Sequence, residues 1–233
     1  MPSGARTDIS LALALVLTGV IFSLWPWLDI WASRLFFCEG QGFCMAEVPA
    51  IGWIRARIRD LMVVVFLAAG LALPVALWLR GPGDIASRVL GFTTLLFLLG
   101  PGLLVNGILK EFWGRARPAD IAEFGGEKLF TPPLRIADQC ATNCSFVSGE
   151  GAGATALAIS AWVLTERIAD PVLRWRIRAV VNTLAAVAVA LRVMTGRHFL
   201  SDTVFAVLFV AALALVLGAI LRLPWAVAPR DVP

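Results

Sequence analysis

With 59% hydrophobic and 15% charged residues among 233, and a mean hydropathy of +0.84, the chain falls outside the soluble globular class, where apolar residues make up about 45–50% and charged ones about 25%. The net charge of +4 and the pI near 9.3 do not mark a nucleic-acid binder. The basic residues stand at the ends of apolar runs, where cations meet lipid headgroups, and form no long soluble patch. What remains is one domain over 1–233 whose solvent is mostly lipid.

Hydropathy divides the chain into six apolar stretches, roughly 9–30, 60–80, 88–109, 148–166, 178–195 and 202–222. The runs are continuous and not alternating, and backbone groups in lipid must be satisfied within their own segment. The expected fold is therefore all-α, an integral membrane bundle of about six transmembrane helices. The first run could be read as a cleaved signal peptide. It extends to Trp25, Trp27 and Trp31, long for a signal core and suited to an interfacial aromatic belt, which favours an uncleaved span. Pro74 and Pro101 fall inside spans, where a kink is tolerated if neighbours re-satisfy the freed carbonyls.

Six spans place both termini on one side of the membrane. The opposite side then receives 31–59, 110–147 and 196–201. Basic residues are comparable on the two sides, so the positive-inside rule does not choose between orientations. Cys38, Cys44, Cys140 and Cys144 all fall in loops of the side away from the termini. That placement suggests disulfides and an oxidising compartment, with three pairings open. Zinc is the alternative, but the spacings CEGQGFC and CATNC are not the usual close ligand pairs. The loop-bearing side is expected to be periplasmic or extracellular, with the termini in the cytoplasm.

Three segments on that side carry candidate chemistry: Lys110 to Arg117-Pro118, Cys144 to Gly151, and Arg192 to Asp202. Lys110, Arg117 and Arg192 bring three cations to one membrane face, and such groups match phosphate oxygens. Ser148 and Gly149 stand before a predicted helix, whose free N–H groups and partial positive charge favour an anion. His198 and Asp202 are four residues apart and share a face if the segment is helical. A carboxylate on one imidazole nitrogen would fix the tautomer and free the other for attack on phosphorus. Each feature has an ordinary structural explanation: snorkelling cations, a helix cap, a structural hydrogen bond. Their joint appearance on one face is what those explanations leave over.

The pattern resembles the type 2 phosphatidic acid phosphatase superfamily, the PAP2 membrane lipid phosphatases. The first family motif, Lys, six residues, Arg-Pro, is matched by Lys110 through Arg117-Pro118. The third is matched at Arg192, His198 and Asp202, with Leu191 in the place of its serine. The second, Pro-Ser-Gly-His, reads Val147-Ser148-Gly149-Glu150. The resemblance implies a metal-independent phosphoric monoester hydrolase without cofactor. In it His198 is the nucleophile, Asp202 its partner, and Lys110, Arg117, Ser148, Gly149 and Arg192 hold phosphate. Glu150 stands where the family histidine protonates the leaving group. Three roles are open to it: a protonated general acid, a carboxylate that orients a cation and later activates water, or a first-turn carboxylate that only stabilises the helix through its dipole. The variant second motif looks like that of bacterial lipid A phosphatases of the 4′ type, which implies a phosphorylated lipid partner in the inner membrane. Undecaprenyl pyrophosphate and phosphatidylglycerol phosphate are alternative substrates, and a non-catalytic lipid-phosphate binder or transporter is the reading from another class. The loop 119–147 could recognise a saccharide headgroup or serve as a disulfide-braced lid.

Overall fold

The computed structural model describes residues 4–225, and the two chain ends, whose cytoplasmic placement is expected above, lie outside the described residues. The helices are α1 (Gly4–Leu24), α2 (Trp27–Arg34), α3 (Pro49–Arg80), α4 (Ile85–Phe97), α5 (Lys110–Phe112), α6 (Gly149–Thr165), α7 (Pro171–Met194) and α8 (Leu200–Ile220). A π-helical segment, Leu98–Leu109, joins α4 to α5 without a break. Two short strands, β1 (Phe37–Cys38) and β2 (Gly42–Phe43), form an antiparallel hairpin.

Local chemistry sets the boundaries. Pro49 and Pro171 occupy first-turn positions, where a missing N–H costs nothing. Asp84, Ser148 and Asp170 cap their helices by accepting hydrogen bonds from Ala86, Gly151, and Val172 and Leu173 respectively. Four stretches are each long and apolar enough to cross a membrane: Pro49–Arg80, Ile85–Phe112, Pro171–Met194 and Leu200–Ile220. Their outward faces carry side chains such as Leu71 and Trp78, 74% and 84% exposed, as lipid contact requires.

α6 is the innermost helix. Its Ala152, Ala154 and Ala156 are fully buried, and small residues let backbones approach closely in a membrane bundle. A Cβ on Gly153 would come 2.9 Å from Met62 Sδ of α3, and one on Gly149 would come 2.8 Å from Asn106 Oδ1 of the π-segment. Around α6 packs one apolar cluster that includes Phe92, Leu96, Val105, Phe146, Leu157, Phe205 and Val210.

Three expectations need correction. The first apolar run is not one straight span: α1 and α2 are bent by 84°, because Pro26 offers no N–H to continue the helix. The second span does not begin near residue 60. α3 starts at Pro49 and has 32 residues, about 48 Å at 1.5 Å per residue, against about 30 Å of hydrocarbon. Its first turns therefore stand proud of the membrane and carry Arg55, Arg57 and Arg59. Third, most of the loop 119–147 lies away from the cavity described below. Only Asn143 of it lines that cavity, while Ile121, Phe124 and Phe130 join Phe43 and Phe199 in a separate apolar cluster.

Candidate active site

The ends of α3, the π-segment, α5, α6 and α7 enclose a cavity of about 550 Å³. Its polar end holds Lys110, Arg117, Arg192, Glu150, Gly149 and His198, with Arg55, Arg59 and Arg197. Its other end is apolar, made by Met62, Val63, Phe66, Phe97 and Leu98. The π-segment supplies Pro101, Gly102 and Asn106 between them. Asn106 Nδ2 donates to the Pro101 carbonyl at 2.7 Å, which fixes the amide within the π-segment.

His198 is 1% exposed and belongs to no helix. The chain turns back after α7, and the Arg197 and His198 N–H groups both donate to the Arg192 carbonyl at 3.1 Å. Gly196 makes this turn with φ of 64°, a region that favours glycine; any Cβ there would collide with the Phe43 ring. The expected stacking of His198 and Asp202 on one helix face does not occur, since α8 begins only at Leu200. Nδ1 of His198 lies 2.7 Å from the Ser145 carbonyl and 3.8 Å from Asp202 Oδ2. A carbonyl can only accept, so the proton sits on Nδ1 and the Nε2 lone pair is free. Burial pushes the imidazole down to about 4, with Asp202 pulling the other way and Arg192 and Lys110 reinforcing the fall. The ring is therefore neutral, as a nucleophile must be.

Asp202 instead anchors a buried network that the sequence did not announce. Its Oδ2 accepts from Ser145 Oγ at 2.5 Å and from the Phe199 N–H at 2.9 Å, and its Oδ1 from Arg115 Nη1 at 2.5 Å. Arg115 is fully buried, with its guanidinium carbon 4.2 Å from the Phe199 ring centroid. Its Nη2 donates to Asp29 Oδ2 at 2.8 Å. Arg115 lies within the first motif and Asp29 within a run read as lipid-embedded; a lone acidic residue there was the available signal.

The remaining predicted residues divide. Arg192 is 5% exposed, its Nε makes no hydrogen bond, and its Nη1 is 3.2 Å from Glu150 Oε1. Buried donors without partners suit an incoming anion. Lys110 Nζ donates to Asn143 Oδ1 at 2.8 Å, and Arg117 Nη2 to the Asn143 carbonyl at 2.7 Å. Asn143 has φ of 51°, a conformation that asparagine tolerates. Gly149 lines the cavity. Ser148 does not: it is fully buried and its hydroxyl accepts the Gly151 N–H at 3.1 Å, so its visible work is the helix cap.

Glu150 is held by two arginines. Arg55 Nε and Nη2 donate to its Oε2 and Oε1 at 3.1 and 2.7 Å, and Arg192 Nη1 lies 3.2 Å from the same Oε1. A fork of this kind recognises an ionised carboxylate. Hydropathy places residues 31–59 in a loop and so does not single out Arg55; in α3 it shares a face with Arg59 at i,i+4. The cysteines pair as Cys38–Cys44 and Cys140–Cys144. The first bond closes the hairpin that bears Phe43, and the second braces the turn that bears Asn143.

Residues 86–225 match the PAP2 superfamily. The lipid A 4′-phosphatase of Rhizobium leguminosarum is 34% identical over 215 residues, which cover 84% of this chain and 90% of that protein. The lipid A 4′-phosphatase of Francisella tularensis subsp. novicida is 30% identical over 213 residues, covering 88% and 92%. The corresponding enzyme of Rhizobium etli is 33% identical over 215 residues, covering 84% and 81%. Among solved structures, the transmembrane PAP2 type phosphatidylglycerolphosphate phosphatase of Bacillus subtilis superposes with a TM-score of 0.57 at 20% identity, over 92% of this chain and 94% of that one; that likeness concerns the fold. With the match running over most of the bundle and three relatives at 30–34% identity over most of the chain, the chain belongs to the PAP2 superfamily of membrane phosphatases.

Proposed function

We propose that this chain is an integral membrane lipid phosphatase, a single domain over 1–233, that removes the 4′-phosphate of lipid A through a phosphohistidine on His198. The observation that carries this is a buried imidazole whose Nδ1 is committed to the Ser145 carbonyl, in a cavity that Lys110, Arg117 and Arg192 also line. Support for the substrate comes from the names of the three relatives. The shape of the cavity adds to it, with cations at one end and Met62, Phe66 and Phe97 at the other, as a phosphate joined to an acylated sugar requires.

The His198 Nε2 lone pair attacks phosphorus. The P–Nε2 bond forms as the bond from phosphorus to the 4′ oxygen breaks, and that oxygen leaves with the electron pair and takes a proton from water. Lys110, Arg117, Arg192 and the N-terminus of α6 at Gly149 offset the charge on the equatorial oxygens. Ser148 contributes through the cap that shapes this terminus. Glu150, ionised between Arg55 and Arg192, aims Arg192 at the phosphate. In the second step it accepts a proton from the water that attacks phosphorus. The P–Nε2 electron pair returns to the ring and inorganic phosphate leaves.

Both disulfides lie on the side of the membrane that bears the site, which supports an oxidising space there. The active site faces the periplasm from a bacterial inner membrane, and the termini are cytoplasmic.

The test is a brief reaction with phosphate-labelled lipid A quenched in alkaline denaturant, where phosphohistidine survives. Because His198 is the one histidine of the chain, base-stable and acid-labile label locates the nucleophile, and it should vanish in His198→Ala together with turnover. Turnover in His198→Ala at the wild-type rate, or label stable to acid, would overturn the proposal.

A further inference from the structure

Asp29 has no place in the family motifs and lies 172 residues before Ser201, yet its side chain is fully buried against the base of the catalytic histidine loop. Three donors converge on it. Ser201 N–H reaches Oδ1 at 2.8 Å, Ser201 Oγ reaches Oδ2 at 2.5 Å, and Arg115 Nη2 reaches Oδ2 at 2.8 Å. Burial, and to a lesser degree Asp202, push this carboxyl up, while the Arg115 guanidinium and the Ser201 hydroxyl favour its ionised form. Arg115 in turn spans Asp29 and Asp202, and all three side chains are removed from solvent.

The charges of this group decide what it can do. Asp202 with Arg115 alone would be a neutral pair, and a neutral pair offers little to a ring that gains positive charge. Asp29 makes the group two carboxylates to one guanidinium, a net charge of −1, placed 3.8 Å from His198 Nδ1 at its nearest oxygen. On the cavity side the same ring faces an excess of cations, Lys110, Arg117 and Arg192 among them, against the single carboxylate of Glu150. When Nε2 bonds to phosphorus while Nδ1 keeps its proton on the Ser145 carbonyl, the ring carries one positive charge. Low-dielectric surroundings make an uncompensated charge there costly.

We propose that Asp29 is a positioning residue for the phosphoryl transfer: by neutralising Arg115 it leaves the charge of Asp202 available to stabilise the phosphorylated His198 ring. This rests on His198 being the nucleophile. Asp29 touches neither substrate nor the reacting atoms. Its influence is greatest on the step that creates positive charge on the ring and absent, or reversed, on the step that removes it.

The experiment measures the two steps separately in rapid-quench single turnovers of purified Asp29→Asn with phosphate-labelled lipid A. Phosphorylation of His198 should slow by about 10- to 100-fold as the charge beside the ring is lost. Hydrolysis of the phosphoenzyme should be unchanged or faster. Asp29→Glu separates charge from fit: it keeps the charge but is too long for a fully closed site. Its phosphorylation rate should lie between wild type and Asp29→Asn. Equal slowing of both steps, or Asp29→Glu slower in phosphorylation than Asp29→Asn, would show a packing role and overturn the proposal. Wild-type protein that turns over without accumulating or forming phosphohistidine would overturn it together with the nucleophile on which it rests, a failure visible before any variant is made.

Discussion

At the scale of single residues, the site turns on which groups are ionised. Because burial lowers the His198 imidazole to about 4, the neutral ring persists well below the ordinary histidine value of about 6.5. The acid limb of kcat/KM should accordingly fall near pH 4 to 5, and not at 6.5; a profile measured on a soluble phosphorylated saccharide checks this. The sign for stability follows from the same shift. Between pH 6.5 and 4 the unfolded chain binds a proton on His198 that the folded one refuses, so stability rises with pH across that window, and the melting temperature should drop as pH is lowered through it. Glu150→Gln removes the charge that Arg55 and Arg192 share, and should cost roughly 10²- to 10⁴-fold in rate with phosphoenzyme accumulating; near wild-type turnover would reduce Glu150 to a first-turn carboxylate. Ser148→Ala should lower stability by about 0.5–2 kcal/mol through the lost cap with a far smaller loss of rate than Arg192→Ala, which should cost about 10²-fold or more. Much of this was legible beforehand, because Lys110, Arg117, Arg192 and His198 carry motif spacing. Asp29 and Arg55 were not, because neither has local spacing to announce it: one needs a long-range contact to α8 and the other a helix extended beyond the bilayer.

At the scale of elements, function depends on segments that hydropathy reads poorly. The π-segment passes a hydropathy test like any apolar helix, since periodicity does not record which carbonyl each N–H meets. The bend at Pro26 is likewise hidden within one apolar run, although it is what turns Asp29 inward. The Cys140–Cys144 turn holds Asn143, which restrains Lys110 and Arg117 at once. Asn143→Ala should therefore lower kcat/KM by about tenfold and, because alanine tolerates the φ of 51° less well than asparagine, lower the melting temperature slightly; both are measurable on the same preparation. Gly196 is the stricter case. Gly196→Ala forces both an unfavourable φ and a collision with Phe43, so it should destabilise the histidine turn by several kcal/mol and abolish turnover, read by thermal unfolding and phosphate release together.

At the scale of the whole molecule, the apolar runs of the sequence correspond to helices of the bundle, and the three motif segments meet at one end of it. That much was legible because hydrophobic length and span order survive any detail of packing. The depth of α6 was less so: only contact shows that its small residues face protein on nearly every side. The proposed orientation rests on the placement of the two disulfides. Alkaline phosphatase fused after Ala119 should be active and after Asp170 inactive; the reverse would place the disulfides and the site in a reducing space. The most direct single measurement is mass spectrometry of lipid A carrying both its 1- and 4′-phosphates after incubation with the purified protein. Loss of one phosphate from the 4′ position, with the 1-phosphate retained, is the predicted product. Loss of the 1-phosphate instead, or release from phosphatidylglycerol phosphate with lipid A untouched, would contradict it.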